Sequence, residues 1–267
     1  TPYYKGVYIV QAPTGSGKTQ KIGLPFRKWC YSNRHTFLSV AHLRSLIREM
    51  SERLHTDHYE DEKQAVKQAL KHGRFDQWNS SEDALSICLP SIDYEHFQDF
   101  IRRNRYVFID EISQVLEAFT TDDMFHHTDT KLIYDRLCQI VAKAECLIVA
   151  DANINKRTVE FLERCRPGEK FNFVQITPKD EGKTAFIHDT EAALFRHVLN
   201  RVMVDDHNVW ITCDTASKVE ELAKAFSHYD HINCLAITGP NQKKTEQTAF
   251  LNNPSEESKK YNIIIAS

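Results

Sequence analysis

The sequence predicts an α/β fold built on parallel sheets, and three observations support this prediction. Short apolar runs rich in β-branched and aromatic residues recur along the 267 residues, as in strands that are covered on both faces. Segments with apolar residues at helical spacing separate these runs. The alternation stops at a polar segment and then restarts, which predicts two α/β units.

The first unit is predicted to contain six strands and four long helices. The strands are predicted at 7–10, 36–40, 86–88, 106–109, 146–149 and 171–174. The helices are predicted at 42–53, 60–72, 131–143 and 158–164. A further helix is expected after the first strand, and Pro25 within it is expected to end or kink it.

The second unit is predicted to repeat the pattern on a smaller scale. A polar segment at 179–183 is expected to link a domain at 1–178 to a domain at 184–267. Strands are predicted at 184–188, 209–211, 234–237 and 263–265. Because the last of these ends the chain, we expect the second domain to be incomplete. The chain does not start with Met, so we expect it to be a fragment.

Composition excludes some classes of protein. Lys and Arg total 34 and Asp and Glu total 37, so any contact with nucleic acid is expected to be local. No apolar run approaches the roughly 18 residues of a membrane span, and no signal peptide is visible, so no membrane partner is expected. The seven cysteines form no Cys-x-x-Cys pair, which argues against a disulfide framework or zinc ribbon and favours the reducing cytoplasm.

Residues 12–19, with the sequence APTGSGKT, form the strongest motif. They follow a predicted strand and open a helix, which is the setting of a phosphate-binding loop. Glycines there let the backbone turn sharply, so that N–H groups at a helix N-terminus face an anion. Lys18 is predicted to reach the β- and γ-phosphates, and the Thr19 hydroxyl to bind Mg²⁺. The predicted nucleotide-binding residues are Thr14, Gly15, Ser16, Gly17, Lys18 and Thr19. A plain glycine turn is the alternative.

Two adjacent carboxylates, Asp110 and Glu111, come directly after the predicted strand at 106–109. Ligands of open α/β sheets bind at the carboxyl ends of the strands. Asp110 is predicted to hold Mg²⁺ together with Thr19, and Glu111 to accept a proton from the attacking water. The predicted catalytic residues are therefore Lys18, Asp110 and Glu111. A strand that merely ends at the surface is the alternative.

These two motifs, in this order and spacing, resemble superfamily 2 helicases of the DExD/H type. The resemblance implies a P-loop NTPase fold with two RecA-like domains, and ATP and Mg²⁺ as cofactors. It also implies movement along nucleic acid driven by ATP hydrolysis. Motif II here reads Asp-Glu-Ile-Ser, which departs from the usual Asp-Glu-Ala-Asp or Asp-Glu-x-His.

Other segments resemble the family's nucleic-acid and coupling motifs. Residues 39–46 resemble motif Ia, which implies that Arg44 and Ser45 contact the strand backbone; a solvated helix start is the alternative. Residues 87–92 resemble the strand-contact segment before motif II, and Ser91 there is either a contact or a helix cap. Asp151 and Asn153 stand where motif III couples hydrolysis to movement, although Asp151 is also compatible with a helix N-cap or a surface acid.

The Asp-Ala-Asn sequence at 151–153 and the layout of 209–267 resemble a narrower group, the helicases similar to the herpesvirus origin-binding protein and to plasmid and phage replication proteins. This resemblance implies single-stranded DNA and other replication proteins as partners, in the cytoplasm or the interior of a host cell. Motifs V and VI are absent, so this fragment is expected to bind ATP better than it hydrolyses it. A P-loop ATPase acting without nucleic acid and a non-catalytic binding module are the alternatives.

Overall fold

The structure is a computed structural model that describes residues 4–71, 83–120, 125, 129–177 and 184–267. It contains two compact units, Thr1–Glu181 and Gly182–Ser267. Both are built from parallel strands and helices, which confirms the predicted α/β class. The predicted linker at 179–183 is not covered, since residues 178–183 lie outside the described ranges.

The first unit has a parallel sheet of seven strands in the order β3-β4-β2-β5-β6-β1-β7. The strands are β1 (Gly6–Gln11), β2 (Phe37–Ala41), β3 (Asp57–His58), β4 (Ala84–Cys88), β5 (Tyr106–Asp110), β6 (Cys146–Asp151) and β7 (Phe171–Gln175). The helices are α1 (Leu24–Ser32), α2 (Arg44–Leu54), α3 (Tyr59–Lys71), α4 (Gln98–Arg103), α5 (Ile112–Glu117), α6 (Thr130–Lys143) and α7 (Lys156–Cys165). The apolar pattern of the sequence did not predict β3, α4 or α5.

Burial on both faces explains why these strands lie side by side and parallel. Every residue of β2, β4, β5 and β6 is buried, and each large apolar side chain removed from water contributes roughly 1.5–3 kcal/mol. Val149 in β6 lies opposite both Ile9 in β1 and Ile109 in β5. The carboxyl ends of β1, β6 and β5 therefore meet at one edge of the sheet.

The helix after β1 begins irregularly. A π-helical turn, Thr19–Gly23, leads into α1, and Pro25 occupies the first turn of α1. Proline has no N–H to donate, and it directly follows the wider π-helical turn, in which the Leu24 N–H donates to the Thr19 carbonyl oxygen. The chain thus continues as a helix through Pro25, and the irregularity takes the form of a change from π- to α-helical geometry.

The second unit has a sheet of three parallel strands in the order β8-β10-β9. Its elements are α8 (Glu191–Met203), β8 (Val209–Thr212), α9 (Ala216–Phe226), β9 (Cys234–Ile237), α10 (Thr245–Asn252), α11 (Pro254–Glu257) and β10 (Ile263–Ala266). Val219, Phe226, Ile263 and Ile265 form the centre of a small core. None of the helices in the described parts of the chain is long and apolar enough to cross a membrane.

The strand predicted at 184–188 is wrong. This segment is not part of any strand, and residues 184–187 are exposed, with Phe186 60% and Ile187 94% exposed. A strand is stabilised by pairing and by packing against neighbours more than by its composition. The three strands described in this unit pair only with one another, so the apolar pattern of 184–188 is not sufficient to make it a strand.

Gly23→Ala is expected to destabilise the first unit by about 1–3 kcal/mol, the usual cost of overpacking a core. An added Cβ would lie 3.1 Å from Leu54 Cδ2 and 3.3 Å from ring atoms of Phe108, and both side chains are fully buried, so that they would have to shift within the packed core. Urea unfolding followed by circular dichroism measures the effect. Gly239→Ala is the control, because nothing lies within 4 Å of its added Cβ. Equal midpoints for the two variants would contradict the packing argument.

Candidate functional site

The glycine-rich loop lies at the carboxyl edge of the first sheet, directly after β1. Its start is fixed by a hydrogen bond of 2.9 Å from the Ala12 N–H to the Asp151 carbonyl oxygen at the end of β6. Gly15 and Gly17 have φ angles of +77° and +81°, which side chains with a Cβ rarely adopt. The sequence thus needs glycine at both positions to form this turn.

Lys18 is buried against the loop although it carries a charge. Its side chain points back, so that Nζ donates to the Ala12 carbonyl oxygen at 3.2 Å and lies 3.3 Å from Glu111 Oε1. Only 7% of Lys18 is exposed. A buried ammonium group needs such partners, because an unpaired charge inside a protein is costly. The loop lysine and the carboxylate after β5 are therefore in direct contact.

Thr19 and Asp110, the two predicted Mg²⁺ ligands, are also in contact. The Thr19 hydroxyl donates to Asp110 Oδ2 at 3.0 Å, and the Glu111 N–H donates to Asp110 Oδ1 at 3.1 Å. Asp110 is 4% exposed. Burial raises the pKa of Asp110, while the hydrogen bond from Thr19 and the charge of Lys18 partly oppose this effect. The carboxylate is held in place but is poorly solvated.

Glu111 connects β5 to α5 in a left-handed conformation, with φ 51° and ψ 53°. Residues other than glycine, asparagine and aspartate seldom adopt this conformation, which costs roughly 1–2 kcal/mol. Burial raises the pKa of Glu111, and the nearby Lys18 acts in the opposite direction. A carboxylate with a raised pKa is a stronger base, which suits the predicted role in accepting a proton.

The residues present fit a bound nucleotide and Mg²⁺. The Ser16 hydroxyl oxygen is buried, and no hydrogen-bond partner for it is found within the described structure. Such an atom in a phosphate-binding loop is suited to a ligand oxygen. Within the described ranges, no cluster of three or more His, Cys, Asp or Glu side chains is arranged to hold a metal. Thr19 and Asp110 supply two oxygen ligands, and Mg²⁺ is commonly held by one or two carboxylates together with phosphates and water.

Asp151 links the end of β6 to α5. Its Oδ2 accepts the backbone N–H of Ser113 at 2.7 Å and the Ser113 hydroxyl at 2.5 Å, and its Oδ1 accepts the N–H of Asn153 at 2.8 Å. Asp151 is buried and Asn155 is the N-cap of α7, so Asp151 is neither a surface acid nor the N-cap of that helix. Asn153 is exposed and takes part through its backbone.

Ser113 is a partner of Asp151 that was not predicted from the sequence. The signal was present in the Asp-Glu-Ile-Ser sequence at 110–113, where a serine occupies the fourth position of motif II. The serine donates and the aspartate accepts, so the two departures from the family pattern, Asp-Glu-Ile-Ser and Asp-Ala-Asn, form one matched contact.

The predicted nucleic-acid contacts differ in exposure. Arg44 and Ser45 begin α2 and are exposed, with Arg44 Nη1 3.9 Å from Glu60 Oε1. Ser91 is buried, and its carbonyl oxygen accepts the backbone N–H of Tyr94 at 3.1 Å. Arg44 and Ser45 are therefore accessible to a ligand, whereas Ser91 is placed to hold Tyr94.

Lys63 and Tyr94 were not predicted as nucleic-acid contacts, but they interact with each other and with the charge of Arg44. Lys63 Nζ donates to the Tyr94 hydroxyl at 3.1 Å and lies 4.2 Å from the centre of the Tyr94 ring. The hydrogen bond from Lys63 lowers the pKa of Tyr94, and the charge of Arg44 acts in the same direction. Arg44, Lys63 and Tyr94 are called the basic cluster below. The residues are far apart in the sequence, so no local pattern indicates this cluster.

Asp110→Asn is expected to raise the melting temperature at neutral pH. Because burial raises the pKa of Asp110 above its ordinary 3.8, the folded protein binds the proton more tightly than the unfolded chain. The stability linked to this group is thus fully present below about pH 3.8 and is lost as the pH rises through the raised pKa. Each kcal/mol gained on removing the charge corresponds to about 2–4 °C in a domain of this size.

Thermal unfolding followed by circular dichroism between about pH 4 and pH 8 tests this linkage. The difference from wild type should be widest at neutral pH and narrow as the pH falls. Asp99→Asn, at an exposed carboxylate, should change the melting temperature by only about 1 °C. A lower melting temperature for Asp110→Asn at neutral pH would show that the charge stabilises the fold.

The fold resembles solved helicase structures at low sequence identity. Mss116p (NTE and C-tail double deletion), bound to ssRNA and AMP-PNP, is 14% identical with a TM-score of 0.65, over 100% of this chain and 57% of that chain. A Dbp5 variant from S. cerevisiae, bound to RNA and ADP BeF3, is 13% identical with a TM-score of 0.61, over 98% of this chain and 65% of that chain. A DEAD box protein from the hyperthermophile Methanococcus jannaschii is 14% identical with a TM-score of 0.51, over 98% of this chain and 69% of that chain.

These similarities confirm the predicted RecA-like α/β architecture. This chain spans 57% of the length of Mss116p. No curated protein sequence matches the chain. A sequence model of the DEAD/DEAH box helicases matches residues 3–142, which is more than half of the chain and includes both the glycine-rich loop and the Asp110–Glu111 pair. The chain therefore belongs to the DEAD/DEAH box helicase family.

Proposed function

We propose that this protein is an ATP-driven helicase or translocase that acts on single-stranded nucleic acid. DEAD/DEAH box helicases use ATP with Mg²⁺. One observation carries the proposal for this chain: Lys18 and Thr19 of the glycine-rich loop contact Glu111 and Asp110 after β5 within one largely buried site. The boundaries proposed for the two RecA-like domains are 1–178 and 184–267.

The four side chains have distinct roles in the proposed reaction. Lys18 binds the β- and γ-phosphate oxygens, and Thr19 and Asp110 hold the metal ion. Bound Mg²⁺ neutralises charge on the phosphates. When Lys18 turns from Glu111 towards a phosphate, the Glu111 carboxylate loses its partner at 3.3 Å and is free to accept a proton from water.

Asp151 is proposed to couple this site to movement, with Asn153 fixing its carboxylate. α5 follows the Asp110–Glu111 pair directly, and Asp151 holds two donors of Ser113 in its first turn. A shift of Glu111 during hydrolysis thus changes a hydrogen-bonded contact with the end of β6. Such a contact between two strand ends is suited to transmit a change from one loop to another.

The basic cluster and Ser45 are proposed as the nucleic-acid interface, with Ser91 supporting Tyr94. Arg44 and Lys63 supply positive charge for backbone phosphates, and the Tyr94 hydroxyl supplies a hydrogen-bonding group. Contacts of this kind fix the position of a strand and carry little sequence information. Because the net charge of the chain is -3, the interaction depends on this local cluster.

The proposed strand is single-stranded DNA, in the replication of a plasmid, phage or virus together with other replication proteins. The setting is the cytoplasm or the interior of a host cell. The Asp-Ala-Asn sequence at 151–153 supports this choice through its resemblance to replication helicases. RNA is the second candidate, since the solved structures of Mss116p and Dbp5 described above are bound to ssRNA and RNA.

ATP hydrolysis with oligo(dT), with oligo(U) and without nucleic acid tests the proposal. Turnover is expected to rise with oligo(dT), and Lys18→Ala should lower it by about 100-fold or more, because the phosphates lose their buried cation. Lys28→Ala, at an exposed lysine of α1, is the matched control and should keep full activity. Stimulation by oligo(U) alone would favour RNA.

Two outcomes would contradict the proposed function. Turnover that depends on Lys18 but ignores both strands indicates an ATPase acting without nucleic acid. Strand binding with neither ATP binding nor turnover that depends on Lys18 indicates a non-catalytic binding module.

Ser113→Ala is expected to lower turnover stimulated by nucleic acid by about 10-fold, which corresponds to about 1.4 kcal/mol. It removes one of the three hydrogen bonds to the Asp151 carboxylate, while the affinity for ATP should stay within about twofold. Ser113→Thr keeps a hydroxyl and should keep most of the stimulation. Ser227→Ala, at an exposed serine, is the control. Equal losses for the Ala and Thr variants would show that the hydroxyl is not what matters.

A further inference from the structure

His42 lies at the edge of the sheet where the catalytic residues meet, and no role has been assigned to it. It follows β2 directly. Val40 lies opposite Ile109 in β5, and Ile109 lies opposite Val149 in β6. His42, Glu111 and Asp151 each come two residues after these paired positions. They therefore lie at the same level, where β2, β5 and β6 end.

The imidazole of His42 has unused hydrogen-bonding capacity. His42 is 9% exposed, and its Nδ1 atom is buried without a hydrogen-bond partner in the described structure. The Cys88 thiol donates to the His42 carbonyl oxygen at 3.1 Å and fixes the backbone at this point. Burial lowers the pKa of His42, and the negative charge of Asp151 opposes this effect. The ring is thus neutral at neutral pH, with one nitrogen as donor and one as acceptor.

The carboxylate of Asp151 can also accept one more hydrogen bond. An ionised carboxylate has about four acceptor sites. Oδ2 accepts two hydrogen bonds from Ser113 and Oδ1 accepts one from Asn153, which leaves a site on Oδ1. The unpartnered Nδ1 of His42 and the free acceptor site of Asp151 therefore lie at the ends of β2 and β6 on the same edge of the sheet, with β5 between these two strands.

His42 is also adjacent in sequence to the proposed nucleic-acid contacts. Arg44 and Ser45 form the exposed first turn of α2, and only Leu43 separates Arg44 from His42. A strand that binds at this turn and shifts it moves the backbone of His42 directly. The imidazole is thus placed between an exposed binding surface and the buried network around Asp151.

We propose that His42 is a positioning residue that donates a hydrogen bond from Nδ1 to Asp151 when a single strand binds at the start of α2. This bond orients Asp151 and Ser113, and through α5 it orients Glu111. The inference rests on the proposed function, since it requires a bound strand. It adds a specific route by which that strand affects the nucleotide site.

A binding measurement tests this route without requiring hydrolysis. The affinity for mant-AMP-PNP, a fluorescent ATP analogue, is measured with and without saturating oligo(dT) or oligo(U). The wild-type protein should bind the analogue about fivefold more tightly or better with a strand present, a typical coupling between two sites. His42→Asn places an amide near the position of Nδ1 and should keep the coupling. His42→Gln places it near Nε2 and should reduce the ratio to about one.

The affinity of each variant for the strand alone should stay within about twofold of wild type, since His42 does not contact the strand. This separates a positioning role from loss of the binding surface. If His42→Gln does not fold, His42→Phe takes its place, because it keeps a ring of similar size without nitrogen atoms.

Failure of this inference and failure of the proposed function give different results. A wild-type protein that binds neither oligo(dT) nor oligo(U) overturns the proposed function. A wild-type protein that binds a strand and the analogue without coupling overturns the role of His42 alone. Full coupling in folded His42→Gln or His42→Phe also overturns it.

Discussion

The hydrogen bond from the Thr19 hydroxyl to the buried Asp110 carboxylate is the contact on which the site depends. It joins the end of the glycine-rich loop to the end of β5, 91 residues later in the chain. The contact exists only because β6 lies between β1 and β5 and aligns their carboxyl ends. Lys18 precedes Thr19 and Glu111 follows Asp110, and the same alignment brings their side chains into an ion pair. Sheet order and register thus assemble the site.

This assembly leaves charged groups in poorly solvated places. Burial raises the pKa of both Asp110 and Glu111, and Glu111 also has a left-handed backbone. Buried carboxylates and unusual backbone angles cost free energy, and they persist when the surroundings determine them. Here the surroundings are β5 and β6, whose residues are all buried. The rigid centre of the sheet offsets the cost of a site prepared for phosphate and a metal ion.

The contacts around the site lie along one carboxyl edge of the sheet. Asp151 connects β6 to α5 through Ser113, and the carbonyl oxygen of Asp151 also fixes the start of the glycine-rich loop. The basic cluster lies after β2, β3 and β4 on the same edge. A parallel sheet places all these loops side by side, because successive strands run in the same direction. The fold is shared with helicase structures that are only 13–14% identical, so the sheet that aligns these loops requires few fixed residues.

The sequence by itself determined the fold class, the positions of most strands and helices, and the two pairs of residues, Lys18–Thr19 and Asp110–Glu111, that the fold brings into contact. These features have local signatures: the glycine-rich loop needs glycine where φ is positive, and buried parallel strands need continuous apolar runs. Only the tertiary structure decided which residues contact one another across the sheet. The Ser113–Asp151 contact and the Lys63–Tyr94 pair join residues far apart in the chain, and the exposed segment 184–188 has the composition of a strand without a neighbour to pair with. Pairing and burial depend on what lies across the sheet, which no local stretch of sequence contains.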